Sequence, residues 1–254
     1  MINFEVARYV ESCNEYTNKY EYEKLLKDWA DKERVAKKVV EDFKKRAGEL
    51  KGKTLLDAGF GNGTFIVAFA EAGSIVSGIE INPVLFDIAK ENIKKLNIIA
   101  DLKSYDGYIF PFGDNSFDYV YSTSVLEHVT DAGIFLKEIN RVLRPGGKAY
   151  ISFPNRLAPK ETHTGVWFLS YFPRFIAEIF LKKVLKRNSI EELNLHFLSY
   201  FTLVKHLRET NLEIQFEYDS NHMIRKFIKR VLGFLGLHQS ILLKTIMVIL
   251  VKQK

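Results

Sequence analysis

Cysteine is almost absent from this chain. The single thiol, Cys13, excludes a disulfide within the chain. Nothing near it completes a metal set, so it reads as a free thiol in a reducing compartment, and no metal site is expected. An apolar leader is lacking too. Met1 to Tyr22 mixes Glu, Lys, Asn and Tyr without a hydrophobic core, which argues against a signal peptide. Long hydrophobic runs are also missing: the longest, such as Ile246 to Val251, fall far short of the roughly 20 residues a spanning helix needs. No internal repeat or low-complexity segment is present. These absences predict a soluble, cytoplasmic protein. With 254 residues, 47% of them apolar, the chain has enough material for one large core with elaborations.

Net charge is +6, and it is unevenly spread. Residues 1–150 carry 21 Lys and Arg against 23 Asp and Glu, whereas residues 151–254 carry 16 against 8. The basic part is either a solvated face or a surface for something anionic, such as phosphate, lipid head groups or nucleic acid.

Residues 1–50 are polar and helix-prone. Apolar side chains at Val35, Val39, Val40, Phe43 and Ala47 recur at helical spacing between Trp29 and Ala47, and Gly48 stops the run. A regular alternation follows. Strands are expected at Lys53–Phe60, Ile75–Ile81, Ile98–Tyr105, Phe117–Thr123 and Lys148–Phe153. Helices are expected at Thr64–Ala72, Val84–Leu96 (opened by Pro83) and Ala132–Leu143, the last ended by Pro145-Gly146-Gly147. Beyond an irregular stretch, a helix at Ser199–Glu209 and strands at Leu212–Tyr218 and Lys244–Lys252 complete the pattern. The predicted fold is α/β: a doubly wound, mostly parallel seven-stranded sheet with N-terminal helices and a helical insertion after the fifth strand. The implied division is an N-terminal helical cap at 1–50, a core at 51–155 and 199–254, and an aromatic, basic insertion at 156–198 that is too long for an ordinary connection.

The chemistry concentrates at strand ends. Residues 57–63 read Asp-Ala-Gly-Phe-Gly-Asn-Gly, with Gly59, Gly61 and Gly63 at every second position. A dinucleotide fingerprint spaces its glycines as GxGxxG to seat a pyrophosphate, so this loop is a different device. Asp57, directly before it, would repel a pyrophosphate but suit an ammonium group. Glu80 ends the second strand 21 residues after Gly59, where an acid that accepts ribose hydroxyls belongs. Asp106, after the third strand, is either an acceptor for an adenine amine or a turn aspartate before Gly107. Ser122 to His128 follows the fourth strand at the end where open α/β sheets place ligands.

These pieces resemble the class I S-adenosylmethionine-dependent methyltransferases, in the broad branch that includes quinone-biosynthesis enzymes. The resemblance covers about residues 50–155. It rests on Leu56-Asp57-Ala58-Gly59-Phe60-Gly61-Asn62-Gly63, Gly78-Ile79-Glu80, Asp106 with Pro111-Phe112, Ser116-Phe117-Asp118, Leu126-Glu127-His128-Val129 and Leu143-Arg144-Pro145-Gly146-Gly147. It implies that S-adenosyl-L-methionine is the cofactor. Asp57 and the three glycines would hold its methionine part, Glu80 the ribose hydroxyls, Asp106 the adenine amine, and Ser122 would line the region of the sulfonium. Gly107-Tyr108 departs from the small-then-polar pair usual in the family.

Two histidines compete as base or acceptor contact: His128, next to Glu127, and His163, in the Glu161-Thr162-His163 stretch after the fifth strand. The strand-end Pro154-Asn155-Arg156 with this stretch is similar to family members of cell-envelope or glycan biosynthesis. Either histidine can instead be structural. Trp167, Phe168, Tyr171, Phe172 and Phe175 either pack the insertion or form an apolar lid. Residues 223–235 place Ile224, Phe227, Ile228, Val231, Leu232 and Leu235 on one helical side and Arg225, Lys226, Lys229 and Arg230 on the other. Such a helix docks on the protein or lies among anionic head groups.

The expected activity is methyl transfer to a small or lipid-linked acceptor, at oxygen. An NAD(P)-dependent oxidoreductase is the alternative; glycine spacing and the lack of a Tyr-x-x-x-Lys pair speak against it. A non-catalytic nucleoside-binding module is a third reading. Nucleic acid is not the expected substrate, since no RNA-binding module or Asn-Pro-Pro-Tyr-like motif is present.

Overall fold

A computed structural model describes residues 2–12, 19–185, 190–191, 194–217, 232–234, 240 and 243–254. Cys13 and, apart from Leu232–Phe234, the expected amphipathic helix at 223–235 lie outside the described residues. Among the described residues, no helix is long and apolar enough to cross a membrane.

The chain forms two compact units. The first comprises Met1–Ser122, Arg141–Tyr150 and Lys254. It opens with helices α1 (Ile2–Ser12) and α2 (Lys19–Ala47). Leu25, Ala36, Val40, Phe43 and Ala47 form the buried stripe of α2 at the helical repeat. Phe43 meets the rings of Phe69, Tyr119 and Tyr121 edge-on, which fixes the helix to its own unit. The strands are β1 (Thr54–Ala58), β2 (Ile75–Glu80), β3 (Ala100–Ser104) and β4 (Phe117–Thr123), with helices α3 (Thr64–Glu71) and α4 (Pro83–Lys95) between them. Asn82 caps α4, its side chain accepting the N–H groups of Val84 and Leu85, and Pro83 sits at the first turn as expected.

β1 pairs in parallel with β2 on one side and β4 on the other, and β2 pairs in parallel with β3. Leu55, Leu56 and Ala58 are fully buried, the pattern of a strand covered on both faces. Gly78 makes one close approach possible. A Cβ there would stand 2.5 Å from Phe60 Cδ1 and 2.9 Å from Ile66 Cδ1. The chain winds from β1 outward to β3 and then returns to place β4 on the opposite side of β1. That reversal is a topological switch point, and the carboxyl ends of β1, β2 and β4 border it.

The second unit comprises Thr123–Asn140 and Ile151–Gln253. After α5 (Ala132–Val142) and β5 (Leu143–Pro154) comes the insertion: a 3₁₀ turn at Leu169–Tyr171, α6 (Arg174–Ile179) and a π-helical stretch at Phe180–Leu185. The insertion has its own small core of Leu169, Ala177, Leu181, Ile190 and Leu195. Its aromatics are not that core, since Trp167 is 63% exposed and Phe175 66%. α7 (Tyr200–Leu207), capped by the Ser199 hydroxyl, leads to β6 (Leu212–Glu217) and β7 (Thr245–Lys252), which pair antiparallel.

The seven strands form one sheet in the order β3-β2-β1-β4-β5-β7-β6. The mostly parallel, doubly wound fold expected from the sequence is therefore present, with the β6–β7 pair as its antiparallel departure. One boundary moves. β5 starts at Leu143 rather than Lys148, so Pro145-Gly146-Gly147 is a kink inside the extended segment instead of a break before it. Gly147 approaches backbone too closely for a side chain: a Cβ would lie 2.8 Å from the Arg144 carbonyl oxygen.

Candidate functional site

The loop after β1 is built on left-handed glycines. Gly59, Gly61 and Gly63 have φ of 87°, 57° and 82°, a region that L side chains rarely adopt. Gly59 N–H and Phe60 N–H both donate to the Ile79 carbonyl, at 2.8 and 3.2 Å, which ties the loop to β2. Gly63 starts α3, and a Cβ on it would meet Ala89 Cβ of α4 at 2.9 Å. The spacing of these glycines is thus dictated by backbone strain at all three positions and by a close helix approach at the third.

Asp57 and Glu80 flank this loop, 2% and 6% exposed. Glu80 Oε2 accepts the Gly61 N–H at 2.8 Å, and Oε1 accepts those of Ile81 and Asn82 at 3.0 and 2.9 Å. Three of the roughly four acceptor directions of a carboxylate are then used, leaving one for a hydroxyl. Asp57 Oδ2, in contrast, has no hydrogen-bond partner among the described residues. Burial pushes the Asp57 carboxyl up to about 8, with the charge of Lys32 pulling against it and that of Glu80 adding to it. Burial also raises Glu80, against the three backbone donors.

Lys32 is a site residue that the sequence reading missed. It lies on α2, half-buried, with Nζ 3.6 Å from where a Cβ on Gly61 would stand. Burial lowers its pKa, while Asp57 and Glu80 hold it up. A signal existed: Lys32 is four residues before Ala36, on the buried stripe of its helix.

The other expected cofactor residues are placed as follows. Asp106 is exposed, and its Oδ1 accepts the N–H groups of Tyr108 and Ile109 at 2.8 and 3.0 Å, the geometry of a turn aspartate. Tyr105 lies in the field of both Asp106 and Glu80: burial first, then the charges of Glu80 and Asp106, push its hydroxyl up to about 12. Ser122 is 1% exposed and donates its hydroxyl to the Ala58 carbonyl at 2.9 Å, cross-bracing β4 and β1 beneath the loop.

The two histidines come together in the second unit. His128 Nε2 and His163 Nε2 are 3.1 Å apart. Glu161, itself buried, takes the Nδ1 of His163 at 3.1 Å and the Thr164 hydroxyl at 2.7 Å. Burial would raise Glu161, but hydrogen bonds from the His163 ring, the two backbone N–H groups and Thr164 hold it down at about 2. Glu127 is 1% exposed, and burial raises its carboxyl to about 7. Neighbouring Asn155, Arg156 and His196 line a small cleft with Glu127 and Glu161.

Residues 56–151 match the family model for a methyltransferase domain. The chain is 34% identical over 137 residues to the ubiquinone biosynthesis O-methyltransferase of Coxiella burnetii, a match covering 47% of this chain and 58% of that protein. The chain therefore spans little more than half the length of that relative. To the ubiquinone biosynthesis O-methyltransferase of Pseudomonas paraeruginosa it is 26% identical over 229 residues, covering 80% of this chain and 93% of that protein. A solved S-adenosylmethionine-dependent methyltransferase from Aquifex aeolicus is similar with a TM-score of 0.56 at 16% identity, over 84% of this chain and 88% of that one, a likeness of fold alone. The matched segment holds the loop and both buried acids; residues 56–151 are thus similar to a methyltransferase domain, and the chain shares the fold of a solved S-adenosylmethionine-dependent methyltransferase.

Proposed function

We propose that this protein transfers the methyl group of S-adenosyl-L-methionine to an oxygen of a small or lipid-linked acceptor. The observation that carries the reading is Oδ2 of buried Asp57, which has no hydrogen-bond partner among the described residues and lies at the start of a loop of left-handed glycines. An ionised, buried carboxylate without a donor is costly, and a cationic amine supplies the missing partner. Asp57 with Gly59, Gly61 and Gly63 would hold the amino-acid end of the cofactor, Glu80 a ribose hydroxyl, and Asp106 the adenine amine, with Ser122 bracing the floor. When bound, the cofactor supplies a methyl group already activated by the adjacent positive sulfur, so the protein's work is chiefly alignment.

Oxygen is favoured because both curated relatives named above are O-methyltransferases. His163 is the base in this reading. Glu161 holds its Nδ1–H, which leaves Nε2 to take a hydroxyl proton, and His128 Nε2 at 3.1 Å shares it. The exposed rings of Trp167, Phe168 and Phe175 support an apolar acceptor.

Calorimetry with the purified chain tests the cofactor site. Wild-type protein binds S-adenosyl-L-methionine, and Asp57→Ala weakens binding at least about tenfold, the equivalent of losing one charge-assisted hydrogen bond. Unchanged affinity in that variant overturns the assignment. Formation of S-adenosylhomocysteine with a panel of catechols, phenols and lipid-linked sugars then identifies the acceptor class.

A further inference from the structure

Two imidazoles and a buried carboxylate converge within the second unit. His163 Nε2 lies 3.1 Å from His128 Nε2 and 3.7 Å from Glu127 Oε1. One ligand atom from each of the three residues falls within 4.8 Å of the others. Glu127 is 1% exposed, and neither of its carboxylate oxygens has a hydrogen-bond partner among the described residues. A carboxylate in that state calls for a compensating positive group. A proton shared by the two imidazoles would satisfy the rings but would give neither Glu127 oxygen a side-chain donor among the described residues.

We propose that Glu127, His128 and His163 bind a divalent transition-metal cation, with Glu161 as the carboxylate that orients His163. The spacing suits this. Metal–nitrogen bonds of about 2.0–2.1 Å put two ligand nitrogens about 3.3 Å apart in a tetrahedral site and about 2.9 Å apart in an octahedral one. The observed 3.1 Å lies between. Glu161 Oε1 on His163 Nδ1, at 3.1 Å, favours the tautomer with the proton on Nδ1 and the lone pair on Nε2, the nitrogen that faces His128. Backbone anchors hold the partner segment: His196 N–H donates to the Glu127 carbonyl at 2.8 Å, and the Asn194 side-chain amide donates to the His128 carbonyl. Two imidazoles and one carboxylate select zinc, cobalt or iron over magnesium or calcium, which prefer all-oxygen shells. Three protein ligands leave an open position for an oxygen ligand.

The sequence reading expected no metal, because Glu127-His128 and His163 lie 35 residues apart and only the fold unites them. The proposal concerns metal uptake and stands apart from methyl transfer. With a cation bound, both Nε2 lone pairs are committed, so the base role of His163 belongs to the metal-free protein.

The test uses the full chain, stripped with a chelator and titrated with Co²⁺ in the absence of cofactor and acceptor. One equivalent is expected to bind, with a visible absorption band of nitrogen and oxygen ligation. His128→Ala and His163→Ala should each lower affinity at least about 100-fold, and Glu161→Gln about 10–100-fold. His206→Ala, a histidine outside the cluster, should leave uptake unchanged. X-ray absorption of the Co²⁺-loaded wild-type chain reads the ligands without any variant, and two imidazoles are expected. Absence of uptake by the wild-type chain, a spectrum without imidazole, or undiminished affinity in folded His128→Ala would each overturn the proposal.

Discussion

Glu80 Oε2 accepts the Gly61 N–H at 2.8 Å, so the acid at the tip of β2 holds the loop that follows β1. The same side chain takes two more N–H groups, those of Ile81 and Asn82. Glu80→Ala therefore strips partners from three backbone donors at once, each worth about 1–3 kcal/mol if it stays buried and unsatisfied. The variant should melt several degrees below wild type and lose at least about tenfold in cofactor affinity. Glu80→Gln keeps the shape and should fall between the two in melting temperature. Equal thermal unfolding of wild type and Glu80→Ala would show that the loop does not depend on this side chain.

Asp57 gives a pH dependence with a definite sign. Its carboxyl is raised from an ordinary 3.8 to about 8, burial being the main cause. The ionised form is the one that attracts a cationic amine, so cofactor affinity should rise from pH 6 to pH 9, and binding at neutral pH should release a proton. Calorimetry in buffers of different ionisation enthalpy measures that proton. Stability runs the other way. Between the two pKa values the folded state binds more protons than the unfolded one, so the contribution of Asp57 to stability declines from about pH 4 to about pH 8. Asp57→Asn should flatten both curves. An affinity in wild type that is constant from pH 6 to pH 9 would refute the shift.

Much of this was readable in advance. Hydrophobic patterns located every strand of the sheet, with only the start of β5 misplaced, at Lys148 instead of Leu143, because parallel strands buried on both faces leave apolar runs such as Leu55-Leu56. Gly59, Gly61 and Gly63 announced the loop because only glycine tolerates their φ values. What the sequence hid is tertiary. That His163 reaches His128 depends on the fold of the segment after β5. The aromatic run read equally well as packing or as surface, because ring-rich sequence does not say which way the rings face. The insertion solves its packing with Leu169, Ala177 and Leu181 instead.

Lys32 sits on the apolar stripe of α2 and feels both buried acids. Its charge lowers the Asp57 pKa. Removing it should move the midpoint of the pH-dependent cofactor affinity upward, and Lys32→Met, which keeps the length of the side chain, is the variant to compare. At pH 7 the variant should bind less of the cofactor, while at a pH above both midpoints the difference should narrow. A midpoint that stays in place, or moves down, would mean that Lys32 is too far from Asp57 to matter.

The insertion offers a contrast between two neighbouring residues. Trp167 is 63% exposed, whereas Leu169 is 1% exposed in the small core with Ala177 and Leu181. Leu169→Ala should cost about 2–5 kcal/mol through the cavity it leaves. Trp167→Ala lies on the surface and should change stability by no more than about 0.5 kcal/mol. If the exposed rings serve an apolar acceptor, Trp167→Ala should nevertheless reduce kcat/KM for that acceptor while leaving cofactor affinity intact. Parallel chemical denaturation and steady-state kinetics separate the two effects. A stability loss in Trp167→Ala as large as that in Leu169→Ala would place the ring in the packing of the insertion. An unchanged kcat/KM would remove it from acceptor binding.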